Sequence, residues 1–296
     1  MNVVKANYFK TEDGEQVFYS TNFDPAKDGA SHEDVLVFNY GLVCSNHHWS
    51  KQLKHFDDRG YKILTHDYRG HYLSTGHNDV ANITFQNITD DLHKICVALN
   101  IKSSIQIGHS MGVNICLEFA RRYPEMTKRM VLISGTVIPV FNIMFNSNIT
   151  DQTLPSAAKL MKKFPKLFES FWKYGGWNPV TRKIIHAGGF NTKTVPEEFI
   201  EIYLNRLGKL GPELFFQLIE QMHKHDILAF IQNIKTPALI IGGDQDKVIP
   251  NYLQKLLLKE LPNAKLYLVR NGSHVPQVDF PEFVNERLDC YFEKGL

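Results

Sequence analysis

Short apolar runs alternate with amphipathic stretches along the first 136 residues of the chain. Short stretches typical of buried strands lie at 35–38, 61–65, 103–107 and 130–133, of which 103–107 alternates and is rich in isoleucine. Helical spacing of apolar residues is found at 49–58, 85–99 and 111–123. Two earlier stretches, 5–9 and 16–21, flank Asp13-Gly14 and predict a hairpin. Strands and helices that alternate through short links predict an α/β fold with a doubly wound, mostly parallel sheet and an antiparallel start.

This alternation stops between residues 137 and 229, where the pattern is helical and no apolar run is typical of a buried strand. Strand-like runs return at 237–241 and 265–269, and helical spacing returns at 252–261 and 281–292. We therefore expect a core built from residues 1–136 and 230–296. Residues 137–229 are expected to be inserted between two strands of its sheet as a helical cap.

The inserted segment is rich in aromatic residues. It contains Phe141, Met144, Phe145, Phe164, Phe168, Phe171, Trp172 and Trp177. One helical face collects Leu160, Phe164, Leu167, Phe168 and Phe171, whereas Lys162, Lys163, Lys166 and Lys173 lie elsewhere. We expect the apolar face to pack on the core as a cap that excludes water and encloses an apolar group. Contact of this basic amphipathic helix with a membrane surface is the alternative.

A single serine stands between two glycines at the point where the strand-like run 103–107 gives way to a helix. The segment Gly108-His109-Ser110-Met111-Gly112 has the form G-x-S-x-G. Glycine fits the positions of a sharp strand-to-helix turn that have no room for a side chain, and the apex residue then projects above the sheet. The N–H of Met111 would lie at a helix N-terminus, where negative charge is stabilised. A glycine-serine turn without chemistry is the alternative.

A serine hydroxyl needs a base to become nucleophilic, and the base needs an acid that orients it. In open α/β sheets such groups come from loops beyond the carboxyl ends of strands. The loop after 237–241 carries Asp244 and Asp246, and the loop after 265–269 carries His274. Asp246 and Asp244 are the two candidates for the orienting acid. A helix-capping role for Asp246 and a plain loop role for His274 are the alternatives to catalysis.

With these motifs the sequence resembles the α/β-hydrolase superfamily over residues 1–136 and 230–296. The elbow GHSMG matches, residues 243–250 match G-x-x-D-x-x-x-P and select Asp246, and residues 272–274 match G-x-H. Residues 67–74 correspond to the family segment D-x-R-G-x-G-x-S, with Tyr72 in place of the second glycine. The resemblance implies an eight-stranded, mostly parallel, doubly wound sheet with an inserted cap.

The resemblance also implies roles for the residues of the site. Ser110 would be the nucleophile, His274 the base and Asp246 the acid that orients it. Tyr40-Gly41 stands where the family usually has His-Gly. Alignment at Gly41 makes the backbone N–H of Leu42 the second oxyanion donor beside that of Met111.

Three residues near the oxyanion loop are expected to contact the substrate: Gly41, His48 and Trp49. For His48 and Trp49 a plain surface position is the alternative. His109 lies inside the elbow and is expected to face away from the serine and to pack against the protein.

Composition narrows the classes of function. The 296 residues carry a formal net charge of +2, which argues against nucleic-acid binding. The four cysteines are widely spaced, so no metal site is expected, with the segment 223–226 (HKHD) as the alternative. The N-terminal residues show no signal peptide and no apolar run reaches the roughly 18 residues of a membrane span, so a cytoplasmic protein is expected.

We therefore expect a serine hydrolase that cleaves a carboxylic ester of an apolar small molecule through an acyl-enzyme, without a cofactor. A lactonase, a hydrolase of carbon–carbon bonds and an acyltransferase are alternatives on the same fold. A catalytically silent ligand-binding protein is the alternative from a different class.

Overall fold

The computed structural model describes residues 1–26, 34–76, 79–138, 156–157, 159–161, 163–175, 189–191 and 193–295. Most of the remaining positions fall in the predicted cap. Outside the described residues lie Phe141, Met144, Phe145, Lys162 and Trp177, together with the side chains of Phe171 and Lys173.

One eight-stranded sheet forms the centre of the fold, with the strand order β1-β2-β4-β3-β5-β6-β7-β8. The strands are β1 (Lys5–Lys10), β2 (Gln16–Thr21), β3 (Val35–Asn39), β4 (Ile63–His66), β5 (Ser104–His109), β6 (Thr127–Ile133), β7 (Ala238–Gly243) and β8 (Ala264–Val269). The pairs β1–β2 and β2–β4 are antiparallel, and the other five pairs are parallel. The predicted mostly parallel sheet with an antiparallel start is confirmed.

Helices follow the strands along the described chain. They are α1 (Ser50–Asp58), α2 (Phe85–Ala98), α3 (Met111–Arg122), α4 (Pro165–Gly175), α5 (Glu197–Leu210), α6 (Pro212–Lys224), α7 (Asn251–Glu260), α8 (Pro276–Asp279) and α9 (Pro281–Lys294). Within the part of the chain that the structure describes, no helix combines the length and the apolar character that crossing a bilayer requires.

Side chains of the central strands alternate between two cores. In β6, Val131 packs in a cluster that includes Phe56 of α1, whereas its neighbour Met130 packs in a cluster with Leu117 of α3 and Leu257 of α7. Strands buried on both faces need apolar residues at nearly every position. This burial explains why the sequence shows continuous apolar runs here and places the helices on both sides of the sheet.

Between β6 and β7 the described residues form α4, α5 and α6 and contain no strand. The indole N–H of Trp172 on α4 donates a 2.8 Å hydrogen bond to the oxygen of Leu207 on α5, and its ring lies 5.0 Å from that of Phe215 on α6. The ring of Phe199 on α5 lies 4.5 Å from His48, in the segment after β3. That residues 137–229 form a separate cap domain stays a prediction.

Candidate active site

The turn between β5 and α3 holds Ser110 in a strained backbone conformation, with φ +54° and ψ −119°. Two flanking glycines make the turn sterically feasible. A Cβ at Gly108 would lie 2.4 Å from the oxygen of Gly112, and a Cβ at Gly112 would lie 2.2 Å from the oxygen of Asn39. Backbone atoms cannot yield at such distances, so any residue with a side chain at either position would push α3 away from β3 and β5.

Three side chains meet above the carboxyl ends of β5, β7 and β8. His274 Nε2 lies 3.1 Å from Ser110 Oγ, and His274 Nδ1 lies 3.0 Å from Asp246 Oδ2. The Asp246 side chain is fully buried and that of His274 is 10 % exposed. A carboxylate that accepts from Nδ1–H leaves Nε2 free to accept the serine proton, which is the protonation state that a general base requires.

The loop after β7 orients the carboxylate of Asp246. Its Oδ1 accepts hydrogen bonds from the backbone N–H groups of Val248 and Ile249, each 2.9 Å away, so Oδ2 is left for the imidazole. Asp244 is exposed, and its Oδ1 accepts a 2.7 Å bond from the N–H of Asn271. The carboxyl group in contact with His274 is therefore that of Asp246, and Asp244 braces the neighbouring loop.

The backbone of His274 is held from two sides. Its oxygen accepts a 2.9 Å hydrogen bond from Nε2 of His109, and its N–H donates a 3.2 Å bond to the oxygen of Gly189, in the segment before α5. A carbonyl oxygen can only accept, so the proton of His109 is on Nε2. Burial lowers the pKa of His109 well below its usual value, which keeps the ring neutral.

His109 packs as expected, but it does not simply face away from the site. Its ring lies 6.3 Å from that of Trp49 and 5.0 Å from that of His274. The contact with the His274 oxygen could not be predicted from sequence, because a histidine within the elbow carries no local signal of a partner 165 positions further along the chain.

A second carboxylate braces the histidine loop. Asp279 on α8 accepts a 2.5 Å bond from the N–H of Ser273 and a 3.0 Å bond from the hydroxyl of Thr194. Burial raises the pKa of Asp279 above its usual value. A Cβ at Gly243 would lie 2.1 Å from the oxygen of Ser273, so the acid loop and the histidine loop touch backbone to backbone. No sequence motif indicated this role of Asp279.

The predicted oxyanion donors border the serine. A Cβ placed on Gly41 would lie 2.9 Å from the Cβ of Ser110, so the loop that carries Leu42 passes directly beside the nucleophile. Met111 is the first residue of α3, where backbone N–H groups lack partners within the helix. None of the hydrogen bonds between described residues uses the N–H of Leu42 or Met111. Their role as oxyanion donors stays a prediction.

Two of the residues that are expected to contact the substrate, His48 and Trp49, are buried. Trp49 is 0 % exposed and packs with its ring 5.3 Å from that of Phe38. His48 is 2 % exposed, and burial lowers its pKa to about 3, so its ring is neutral. A plain surface position is therefore wrong for both residues, and substrate contact by Gly41, His48 and Trp49 stays a prediction.

The residues that the structure describes contain no group of three or more His, Cys, Asp or Glu side chains that could hold a metal ion. In the segment 223–226, His225 instead lies 3.3 Å from the Glu118 carboxylate and 3.1 Å from the Asn114 amide. These contacts join the end of α6 to α3.

Comparison with known proteins agrees with this architecture. The profile of the family described as alpha/beta hydrolase fold matches residues 34–281. The chain is 26% identical over 264 residues to human "Protein ABHD8", which covers 88% of this chain and 55% of that protein. The chain thus spans about half the length of that relative.

Two further known proteins match this chain over almost the whole length of both partners in each comparison. The "Bifunctional esterase/perhydrolase DCH" of Acinetobacter calcoaceticus is 25% identical over 285 residues, 93% of this chain and 92% of that protein. The crystal structure of a bromoperoxidase from Bacillus anthracis superposes with a TM-score of 0.75 at 20% identity, covering 98% of this chain and 99% of the other. At that identity the structural similarity concerns the fold alone.

Proposed function

The chain belongs to the alpha/beta hydrolase family, and we propose that it is a serine hydrolase that cleaves a carboxylic ester of an apolar small molecule through an acyl-enzyme. The observation that carries this proposal is the line of contacts from Ser110 Oγ to His274 Nε2, at 3.1 Å, and from His274 Nδ1 to Asp246 Oδ2, at 3.0 Å. Nucleophile, base and orienting acid at these distances fit acyl transfer.

The first half of the reaction acylates the serine. His274 Nε2 takes the hydroxyl proton as Ser110 Oγ attacks the ester carbonyl, and Asp246 stabilises the imidazolium that forms. The N–H groups of Met111 and Leu42 donate hydrogen bonds to the oxyanion of the tetrahedral intermediate. As the carbon–oxygen bond to the alcohol breaks, the imidazolium gives its proton to the leaving alkoxide.

The second half removes the acyl group. His274 accepts a proton from water, which attacks the acyl carbonyl, and then returns the proton to Ser110 as the carboxylic acid leaves. The bonds from Val248 and Ile249 to Asp246 Oδ1 keep the carboxylate oriented throughout, because rotating it would break both. No cofactor takes part in either half.

An apolar substrate is supported by aromatic rings close to the histidine. Phe190 follows Gly189, whose oxygen contacts the N–H of His274, and the Phe190 ring lies 5.5 Å from Phe199 and 5.2 Å from Tyr203. The ring of Phe199 in turn lies 4.5 Å from His48. Rings of this kind favour an apolar acyl or alcohol group over a charged one.

A second acceptor for the acyl group is favoured by one relative. The protein from Acinetobacter calcoaceticus that shares 25% identity is named a bifunctional esterase/perhydrolase. In perhydrolysis, hydrogen peroxide replaces water in the second half, so the products are a peroxy acid and free Ser110. Product analysis with added peroxide or alcohol separates hydrolysis, perhydrolysis and acyl transfer to an alcohol.

The test is a series of p-nitrophenyl esters of increasing acyl length. We expect the parent protein to turn over at least one ester and to be labelled by a fluorophosphonate probe. Ser110→Ala is expected to keep the fold and lose both properties, whereas Ser170→Ala, at an exposed serine of α4, is expected to keep both. An unlabelled parent protein would favour a ligand-binding role, and equal turnover by Ser110→Ala would overturn the proposal.

A further inference from the structure

Three large apolar side chains are exposed along the inserted segment: Leu160 is 51 %, Phe164 46 % and Leu167 60 % exposed. The N–H of Phe164 bonds to the oxygen of Leu160 at 2.9 Å, and the N–H of Phe168 bonds to the oxygen of Phe164 at 3.0 Å. Phe164 lies at a bend directly before α4, and these two bonds on either side of it keep Leu160, Phe164 and Leu167 about one helical turn apart. We call this line of three side chains the apolar ridge.

The apolar ridge is not the face by which α4 packs on the protein, so the expectation that this face packs on the core is wrong for Leu160, Phe164 and Leu167. That face carries Trp172, which donates to the Leu207 oxygen at 2.8 Å, and Phe168, whose ring lies 6.1 Å from Phe216. At about 100° per residue within α4, Phe168 and Trp172 lie roughly 100° and 140° around the helix from Leu167. The helix is thus anchored through one side, and the ridge remains open to solvent on another. Exposed apolar side chains in a continuous line indicate an interaction surface.

A row of lysines runs along the other flank of the ridge. Lys159, Lys163 and Lys166 are all exposed, and Lys163 Nζ lies 5.4 Å from the centre of the Phe164 ring. Within α4, Lys166 lies roughly 100° from Leu167 on the side opposite to Phe168, and Lys159 and Lys163 precede the helix. None of the three forms an ion pair with a carboxylate in the described part of the chain.

We propose that the apolar ridge and these three lysines form a docking surface for a lipid bilayer that contains anionic headgroups. In this arrangement the ridge enters the boundary between headgroups and acyl chains, while the adjacent ammonium groups contact lipid phosphates. The three lysines without ion pairs favour a bilayer over a protein as the partner. A bilayer supplies anions along the whole row, whereas a protein would need acidic residues matched to each lysine.

This proposal goes beyond ester hydrolysis, because docking needs none of the catalytic groups. It also gives the candidate site a source of apolar substrate. The docked helix α4 contacts α5 through Trp172, and α5 carries Phe199 against His48 in the segment beside the serine loop. A bilayer held at the ridge is therefore linked to the site through one packed helix.

The test measures co-sedimentation of the Ser110→Ala protein with vesicles of phosphatidylcholine alone and of phosphatidylcholine mixed with phosphatidylglycerol. We expect binding to the mixed vesicles and weaker binding to the neutral ones. The double variant Phe164→Ser/Leu167→Ser is expected to lose roughly tenfold or more in affinity for the mixed vesicles. Lys163→Glu/Lys166→Glu is expected to lose a similar factor and most of the salt dependence.

The matched control is Phe283→Ser on α9, where the replaced side chain is 59 % exposed and the helix carries one lysine, Lys294, at its far end. It is expected to bind vesicles as the parent does. Thermal unfolding checks that each variant is folded. Parental vesicle binding by either double variant, or an equal loss in Phe283→Ser, would overturn the proposal.

Two further measurements separate the outcomes. If Phe164→Ser/Leu167→Ser keeps vesicle binding but abolishes self-association in sedimentation velocity, the ridge is an interface between copies of the chain and the bilayer proposal fails. When Phe164→Ser/Leu167→Ser is made in the protein that retains Ser110, its turnover of a soluble short-chain ester is expected to equal that of the parent. Vesicle binding by a protein that hydrolyses no ester would refute the proposed function and leave docking intact.

Discussion

The Nε2 atom of His109 donates a hydrogen bond to the backbone oxygen of His274, 2.9 Å away. His109 immediately precedes Ser110, and the imidazole of His274 reaches Ser110 Oγ at 3.1 Å. The nucleophile turn and the histidine loop are therefore joined at two points, one to the backbone and one between side chains. His109 acts as a positioning residue, because its ring holds the loop that carries the base.

Replacing His109 by Met fills the buried space with a side chain that, like His, is not branched at Cβ, but it removes the donor to the His274 oxygen. We expect kcat to fall by roughly tenfold to a hundredfold, because a small displacement of a catalytic group slows the reaction steeply. KM is expected to change little, since His109 is buried against the protein. His109→Gln supplies an amide N–H donor of similar reach in place of the ring N–H. It is expected to retain most of the parental kcat. Equal losses in the two variants would contradict the positioning role.

Asp246→Asn tests which acid orients the imidazole. We expect kcat to fall about a thousandfold or more at neutral pH, because a neutral amide does not stabilise the imidazolium and favours the wrong tautomer. The control is Asp244→Asn, whose exposed side chain contacts the N–H of Asn271 and not the imidazole. It is expected to stay within about twofold of the parent. Steady-state kinetics with one ester compares the two variants. A larger loss of kcat in Asp244→Asn than in Asp246→Asn would show that Asp244 orients the imidazole.

Gly112→Ala tests the steric basis of the serine turn. Its Cβ would lie 2.2 Å from the oxygen of Asn39, so the helix must shift, and we expect the free energy of unfolding to fall by about 3 kcal/mol or more. Gly60→Ala is the control, since it has φ +78° but no atom within 4 Å of the new Cβ. It is expected to lose only about 1 kcal/mol. Urea denaturation compares the two, and similar losses would show that the helix accommodates the new Cβ at little cost and that space does not govern the turn.

Glu118 is expected to make stability depend on acid pH. Burial alone would raise the pKa of Glu118, but hydrogen bonds from His225 and Arg121 outweigh it and lower the pKa to about 2. A carboxyl whose folded pKa is lowered stabilises the fold above its unfolded pKa, near 4.3, and loses that contribution as pH falls toward 2. The amount is on the order of 3 kcal/mol.

The measurement is the free energy of unfolding in urea between about pH 6 and pH 3. Glu118→Gln is expected to be less stable than the parent at the upper end and to show a shallower decline on acidification. Glu125→Gln, at an exposed position, serves as the control and should follow the parent. A parental slope in Glu118→Gln would refute the assignment of this carboxyl.

The central sheet could be predicted from sequence because its strands are buried on both faces. The continuous apolar run at 130–133 in β6 indicates that burial directly, whereas β5 indicates it through the alternating Ile105 and Ile107. The serine turn could also be predicted from sequence, since the lack of space for a Cβ at Gly108 and Gly112 depends on a few neighbouring residues. The order of serine, acid and histidine then followed from the loops at the carboxyl ends of strands.

The pattern of residues alone did not determine whether Asp244 or Asp246 contacts His274. Both lie on the same loop, and the sequence favoured Asp246 only through its resemblance to a family. The contact with His274 depends on how that loop turns, which the backbone N–H groups of Val248 and Ile249 determine by holding one carboxylate oxygen.

By itself the sequence determined the strands, the order of the chain's elements and the glycine-flanked serine, because each depends on local sterics or on the period of burial. Only the tertiary structure decided that His109 holds the His274 oxygen, that Asp279 links Ser273 to Thr194, and that His48 is buried under α5. These contacts join residues that are distant in sequence. Their existence depends on the relative orientation of loops and helices after packing, and no local pattern encodes that orientation.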